Sequence, residues 1–135
     1  HRLEFVKKIK GVSFYNDSAS TNPQTTIAAV KAFSESKILI AGGYDKNLSY
    51  KPWAKVFPKA NVKMLILIGN NKQKIKKALV NKKVAIKIAS SLREAVKLSK
   101  KIAAQNDRVI LSPGAASFDM FNSYDDRGQK FKNLI

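Results

Sequence analysis

Short apolar runs alternate with segments of helical periodicity along this chain, and polar or glycine-containing breaks separate them. Val12 to Tyr15 reads as a strand, ended by the polar stretch Asn16-Asp17-Ser18-Ala19-Ser20-Thr21-Asn22. Pro23 then opens a helix, because its fixed φ suits the first helical position and its missing N–H is not needed there. Thr26, Ile27, Val30 and Phe33 follow at helical spacing. Lys37 to Ala41 is a continuous strand closed by Gly42-Gly43, and a short helix spans Trp53 to Phe57 ahead of Pro58. The cycle repeats with a strand at Met64 to Ile68, a helix at Lys72 to Val80 and a strand at Val84 to Ile88. Ser90-Ser91 begins the next helix, through Leu92, Ala95, Val96, Leu98 and Ile102, and Glu94 three residues after Ser91 predicts a capping box. Arg108 to Leu111 is a further strand. Phe118 to Phe121 and Asp126 to Leu134 read as helical, with Phe131 and Leu134 facing inward.

Strands apolar on both faces and separated by helices predict a largely parallel sheet covered on both sides. The expected fold is therefore α/β, a Rossmann-like sandwich of five to six strands flanked by five or six helices with right-handed crossovers. At 135 residues it forms one domain, without internal repeat, low-complexity tract or linker. Ligands of such folds bind outside the carboxyl ends of the strands. Three polar loops fall there: Asn16 to Asn22, Gly42 to Leu48, and Ser112 to Ser117.

Composition changes this picture mainly by exclusion. A hydrophobic content of 44% suffices for a core, and 6 Gly with 4 Pro are too few for a disordered chain. No cysteine is present, which rules out a disulfide framework or thiolate metal site. One histidine, His1, leaves no basis for a histidine zinc site or a serine–histidine pair. No apolar run reaches the roughly 20 residues of a membrane helix, and His1 to Lys10 lacks the pattern of a signal peptide, so a cytoplasmic domain is expected.

The formal charge of +17 raises the question of nucleic acid. Its carriers are overwhelmingly lysines spread along the chain, with only Arg2, Arg93, Arg108 and Arg127 as arginines. Base and phosphate recognition favours arginine forks, so solvated lysine faces are the simpler reading. Attraction of anionic substrates is a secondary use of the same charge.

Each loop has a structural and a chemical reading. Asp17, Ser18, Ser20 and Thr21 suit helix capping, yet capping accounts for one or two of seven small or polar residues. Gly42-Gly43-Tyr44-Asp45-Lys46 lets the backbone approach a ligand, and Lys46 adds a charge that can pair with a carboxylate. Ser112 to Ser117 offers hydroxyls and backbone N–H groups, or simply a tight turn of small residues. No G-x-x-x-x-G-K-[ST] or G-x-G-x-x-G element occurs, so neither a phosphate loop nor a dinucleotide fingerprint is present.

Read together, the loops resemble the C-terminal domain of the Mur ligase family, in its D-glutamate-adding branch. The resemblance rests on His1-Arg2-Leu3-Glu4, Gly11-Val12, the N-D-S-x-x-T-N element Asn16 to Asn22, and Gly42-Gly43 with Lys46. Its most specific piece is Leu111-Ser112-Pro113, Ala116-Ser117-Phe118-Asp119, Phe121, Arg127-Gly128 and Phe131. No D-N-P-R element of the diaminopimelate- or lysine-adding ligases is present. Such a family implies a three-domain, ATP-dependent amide-bond-forming enzyme whose N-terminal UDP-sugar domain and central P-loop domain lie outside this chain.

The reaction so implied phosphorylates the carboxylate of UDP-N-acetylmuramoyl-L-alanine with ATP; the amine of D-glutamate attacks the acyl phosphate, and phosphate leaves from a tetrahedral intermediate. Carried over by position, Thr21, Lys46, Ser117 and Tyr124 would hold the carboxylates of D-glutamate. Arg2 would reach the ATP phosphates, Asp17 the ribose hydroxyls, and His1 the adenine; Mg2+ would sit mainly on the central domain. No catalytic residue is expected in this domain alone. Ala19 stands where relatives commonly carry lysine, and Tyr124 where phenylalanine is frequent. Two alternatives compete: a folylpolyglutamate synthase-type ligase domain, and a basic α/β module that binds nucleic acid.

Overall fold

In the computed structural model, which describes residues 1–135, the apolar runs become β1 (Glu4–Ile9), β2 (Val12–Asn16), β3 (Lys37–Ala41), β4 (Val62–Leu67), β5 (Ile86–Ile88) and β6 (Arg108–Leu111). The helices are α1 (Pro23–Lys31), α2 (Lys51–Val56), α3 (Lys72–Ala78), α4 (Leu92–Ile102) and α5 (Tyr124–Leu134), with a 3-10 turn at Phe57–Lys59. One sheet holds all six strands in the order β1-β2-β6-β3-β4-β5, and every pair except β1/β2 is parallel.

Alternation along the central strands builds two cores. Ile38, Ile40, Ile66, Ile68, Val109 and Leu111 face α4 and α5, where Leu92, Ala95, Val96 and Phe131 meet them. Leu39, Ala41, Leu65, Leu67 and Ile110 face the other side, against Val30, Trp53, Phe57, Ile75 and Leu79. A fully buried side chain of this size contributes about 1.5–3 kcal/mol, so the sheet is fixed from both faces. Trp53 is wholly buried between Tyr50 and Phe57, with its ring centroid 4.9 Å from that of Phe57, and its indole N–H donates to Pro23 O at 3.0 Å.

Lys37 departs from its surroundings. Its side chain is fully buried, and the ammonium donates to the carbonyls of Phe33 and Glu35, each at 2.7 Å. Burial lowers its pKa, with Glu35 acting in the opposite direction. Two good acceptors make the buried cation tolerable where an unpaired one would not be.

Several expectations need correction. The charged segment at the N-terminus, to which the sequence pattern assigned no element, is the antiparallel strand β1 at the sheet edge. Its exposed Phe5, Lys7 and Lys8 give no buried face to read, and a register shift between Phe5 and Lys7 breaks the alternation. The hairpin into β2 is a two-residue turn, Ile9 pairing with Val12, with positive φ at Lys10 (50°) and Gly11 (80°). That double left-handed pair matches the twist of the strands. Phe118 to Met120 forms a turn rather than a helix, and α5 begins at Tyr124 instead of Asp126. The third helix stops at Ala78, and the strand expected from Val84 starts only at Ile86. At Ser91 the capping box is half made: Ser91 Oγ accepts from Glu94 N at 3.0 Å, while the Glu94 carboxylate turns to the Ser90 hydroxyl.

Candidate functional site

All the polar loops leave the carboxyl ends of β2, β3 and β6 and are bonded to one another. Gly42 N donates to Pro113 O (2.9 Å), Tyr44 N to Ala116 O (2.8 Å) and Gly114 N to Ser20 O (2.9 Å). The expected convergence of three loops is therefore a hydrogen-bonded fact. A fourth loop, after β4, joins them. Asn71 Oδ1 accepts from Gly43 N (2.8 Å), and Asn70 Oδ1 accepts from Asp45 N (2.8 Å). Gly42, at φ 101°, passes so close to the Ile68 carbonyl that a Cβ would collide with it. Gly69-Asn70-Asn71 carried a loop signal in the sequence, but nothing in it said which neighbours the two asparagines would meet.

Two buried groups hold the cluster from below. Asp17 accepts from Leu3 N at 2.8 Å through Oδ1, and from the hydroxyls of Ser20 and Ser112 through Oδ2. The Tyr50 hydroxyl donates to Gly114 O (2.8 Å) and accepts from Asn71 Nδ2 (3.0 Å). Burial, then the charge of Asp45, pushes this phenol up to about 12, against the hydrogen bond from Asn71.

A third holder is Arg127 of α5, fully buried among the loops. Its guanidinium donates to Ser18 Oγ (2.9 Å), Ser18 O (2.8 Å) and Ala115 O (3.0 Å), tying the first loop to the third. Burial pulls its pKa down to about 10, with the Asp119 carboxylate opposing the shift. Ser18 Oγ passes the chain of bonds on to Tyr124 O at 2.7 Å. Sequence reasoning saw Arg127 only as part of a motif; the missing signal was its burial.

The four residues assigned to D-glutamate differ from these holders. Thr21, Lys46, Ser117 and Tyr124 have no side-chain hydrogen bond within the chain, and none is sealed away as an unsatisfied buried atom. Lys46 is exposed, and its ammonium lies over the Phe118 ring, 5.4 Å from the centroid. Ser117 adjoins Phe118, and Tyr44 packs edge-on against that ring at 6.0 Å. Asp45 does not neutralise Lys46; it pairs with Lys74 at 3.1 Å and accepts from Asn47 N at 2.8 Å, which holds its carboxyl below the usual range.

The three residues assigned to ATP lie along the β1–β2 side. Arg2 is exposed with no carboxylate partner, and lines a shallow cleft of about 190 Å3 with Asp17, Ser20 and Thr25. An unpaired guanidinium in a cleft suits a phosphate chain. Asp17 spends three acceptor positions inside the chain, leaving one of about four for a hydroxyl. The His1 ring is within 2.6 Å of Asn16 Nδ2 and 3.5 Å of Asp125, with Tyr124 edge-on at 6.3 Å. No three His, Cys, Asp or Glu side chains converge in the chain. No helix is long and apolar enough to cross a membrane.

The sheet order and the loop cluster at its carboxyl edge define an α/β domain of the mostly parallel type. Residues 1–115 match the family described as Mur ligase, glutamate ligase domain. UDP-N-acetylmuramoylalanine–D-glutamate ligase of Acetivibrio thermocellus is 44% identical over 143 residues, covering 100% of this chain and 30% of that protein. The same ligase of Clostridium beijerinckii is 46% identical over 142 residues, covering 100% and 31%. Among solved structures, a murein peptide ligase from Psychrobacter arcticus superposes with a TM-score of 0.65 at 9% identity, over 98% of this chain and 29% of that one. A domain of a Haemophilus ducreyi ligase gives 0.62 at 16% identity, over 99% and 100%. The chain belongs to the Mur ligase family and corresponds to the C-terminal part of its D-glutamate ligases. It spans about a third of the length of the curated relatives it matches.

Proposed function

We propose that this chain is the C-terminal, amino-acid-binding domain of a three-domain ATP-dependent ligase that joins D-glutamate to UDP-N-acetylmuramoyl-L-alanine in the cytoplasm. The observation that carries the reading is the division between spent and unspent polar groups on one edge of the sheet. Asp17, Ser20, Ser112, Asn71 and Arg127 hold the loops together, whereas the side chains of Thr21, Lys46, Ser117 and Tyr124 keep their hydrogen-bonding capacity free. A dianionic amino acid needs one full positive charge together with neutral donors, and this set supplies both. Identities of 44–46% to D-glutamate ligases over the whole chain support the choice of amino acid.

In this reading Lys46 pairs with one carboxylate of D-glutamate, and the hydroxyls of Thr21 and Ser117 and the Tyr124 position hold the other. The amine is thereby oriented to attack the acyl phosphate formed at the expense of ATP. Arg2 reaches the phosphates from the cleft beside Asp17, Asp17 keeps its remaining acceptor for a ribose hydroxyl, and His1 borders the adenine. The UDP-sugar, the phosphate loop and Mg2+ belong to the two domains outside this chain. Ala19 contributes no charge to the pocket, which leaves Lys46 as its principal cation.

The test is Lys46→Ala in the full-length enzyme. KM for D-glutamate should rise at least tenfold, with KM for ATP changed less than twofold. An unchanged dependence on D-glutamate would remove Lys46 from the site.

A further inference from the structure

Phe118 is a large apolar side chain left 63% exposed directly after the third loop. Exposure of that size in a ring has a cost in water, and the geometry around it is specific. The Lys46 ammonium sits over its face at 5.4 Å, and Tyr44 meets the ring in a T-shaped contact at 6.0 Å with the planes at 72°. The backbones that carry the two sides are locked by the Tyr44 N to Ala116 O bond at 2.8 Å. Meanwhile Asp45, the carboxylate adjacent to Lys46 in the chain, is turned away onto Lys74 at 3.1 Å.

We propose that Phe118 is a positioning residue for Lys46, holding its ammonium toward the D-glutamate pocket by a cation–π contact instead of a salt bridge. The proposal rests on the role given to Lys46 above. The choice of partner has a physical consequence. A carboxylate beside Lys46 would neutralise it and compete with the incoming substrate. An aromatic face attracts the cation through its quadrupole yet carries no net charge, so the ammonium stays available. It also restricts a four-carbon stem whose free rotamers would otherwise have to be frozen when substrate binds.

The contact is worth enough at an exposed site to change KM by about two- to fivefold. The experiment uses the full-length ligase with mono-, di- and trifluorinated phenylalanine at position 118, which weakens the ring's quadrupole while nearly preserving its shape. Phe118→Leu and Phe118→Trp accompany the series. KM for D-glutamate should climb with each added fluorine and in Phe118→Leu, and return to or below the starting value in Phe118→Trp. KM for ATP and kcat at saturating D-glutamate should stay within twofold. A flat fluorine series, in an enzyme whose Lys46→Ala variant has lost affinity for D-glutamate, overturns the role of Phe118 while leaving the pocket intact. Equal losses in kcat and every KM would mark a structural role and overturn it too. Should Lys46→Ala itself leave D-glutamate affinity unchanged, the pocket reading fails first and the proposal with it.

Discussion

Arg127 places a guanidinium where no water reaches, and its three bonds to Ser18 and Ala115 are what keep the first and third loops in register. Removing it orphans two carbonyls and a hydroxyl at once. Arg127→Ala should therefore destabilise the domain by about 3 kcal/mol, read from the urea midpoint. Arg127→Lys should recover little of this, because a single ammonium cannot span the fork that reaches both loops. A loss under about 1 kcal/mol in the alanine variant would mean that water takes over the bonds. Asp17 teaches the complementary lesson. The family resemblance gives it a ribose contact, and three of its acceptor positions are already used on Leu3, Ser20 and Ser112, which leaves one for that role. Residue type alone does not separate a holder from a binder; the count of partners already made does.

Helix α5 carries Arg127 to its place, and its start is specified locally. Ser123 Oγ accepts from Asp126 N at 3.1 Å, and Asp126 Oδ2 accepts from Asn122 N at 3.1 Å and pairs with Lys130. Ser123→Ala should cost about 1 kcal/mol of stability in chemical denaturation. The bond from Asn122 N, followed by Lys130, holds the Asp126 carboxyl below its ordinary value. A depressed carboxyl contributes stability above the unfolded value near 3.9, and that contribution disappears as pH falls through the lower folded value. The melting temperature of Asp126→Asn should accordingly decline less steeply below about pH 4 than that of the parent; parallel acid limbs would contradict this. Helices α1 and α4 were legible in the same local terms, from Pro23 and from Ser91, although the α1 cap is Asn22 and not one of the candidates Asp17, Ser18, Ser20 and Thr21. Strand β1 was not. An edge strand with lysines on it has no buried face to impose a two-residue period, and only pairing with β2 reveals it.

At the scale of the whole molecule the charge of +17 remains mostly unpaired. Only Lys63, Lys74, Arg108, Lys130 and Lys132, among 26 lysines and arginines, meet a carboxylate within ion-pair distance. Positive potential of this kind favours capture of anionic substrates and does not hold the fold together. Two 13-residue cores on opposite faces of the sheet do that. The isolated domain should unfold in one cooperative transition and hydrolyse no ATP above background, because it carries no G-x-x-x-x-G-K-[ST] element; turnover by the pure domain would contradict the division of labour proposed above. What this protein's sequence determined by itself was everything that depends on neighbours in the chain: the period of the apolar runs, the helix caps, the breaks after each strand, and through them an α/β sheet with polar loops at its carboxyl edge. The motif pieces in those loops also carried the family. Only the tertiary structure decided which polar side chains are consumed and which stay free, since that depends on partners as distant as Asp17 and Ser112 or Ser18 and Arg127. Burial and long-range hydrogen bonding are set by packing, and no local pattern encodes them.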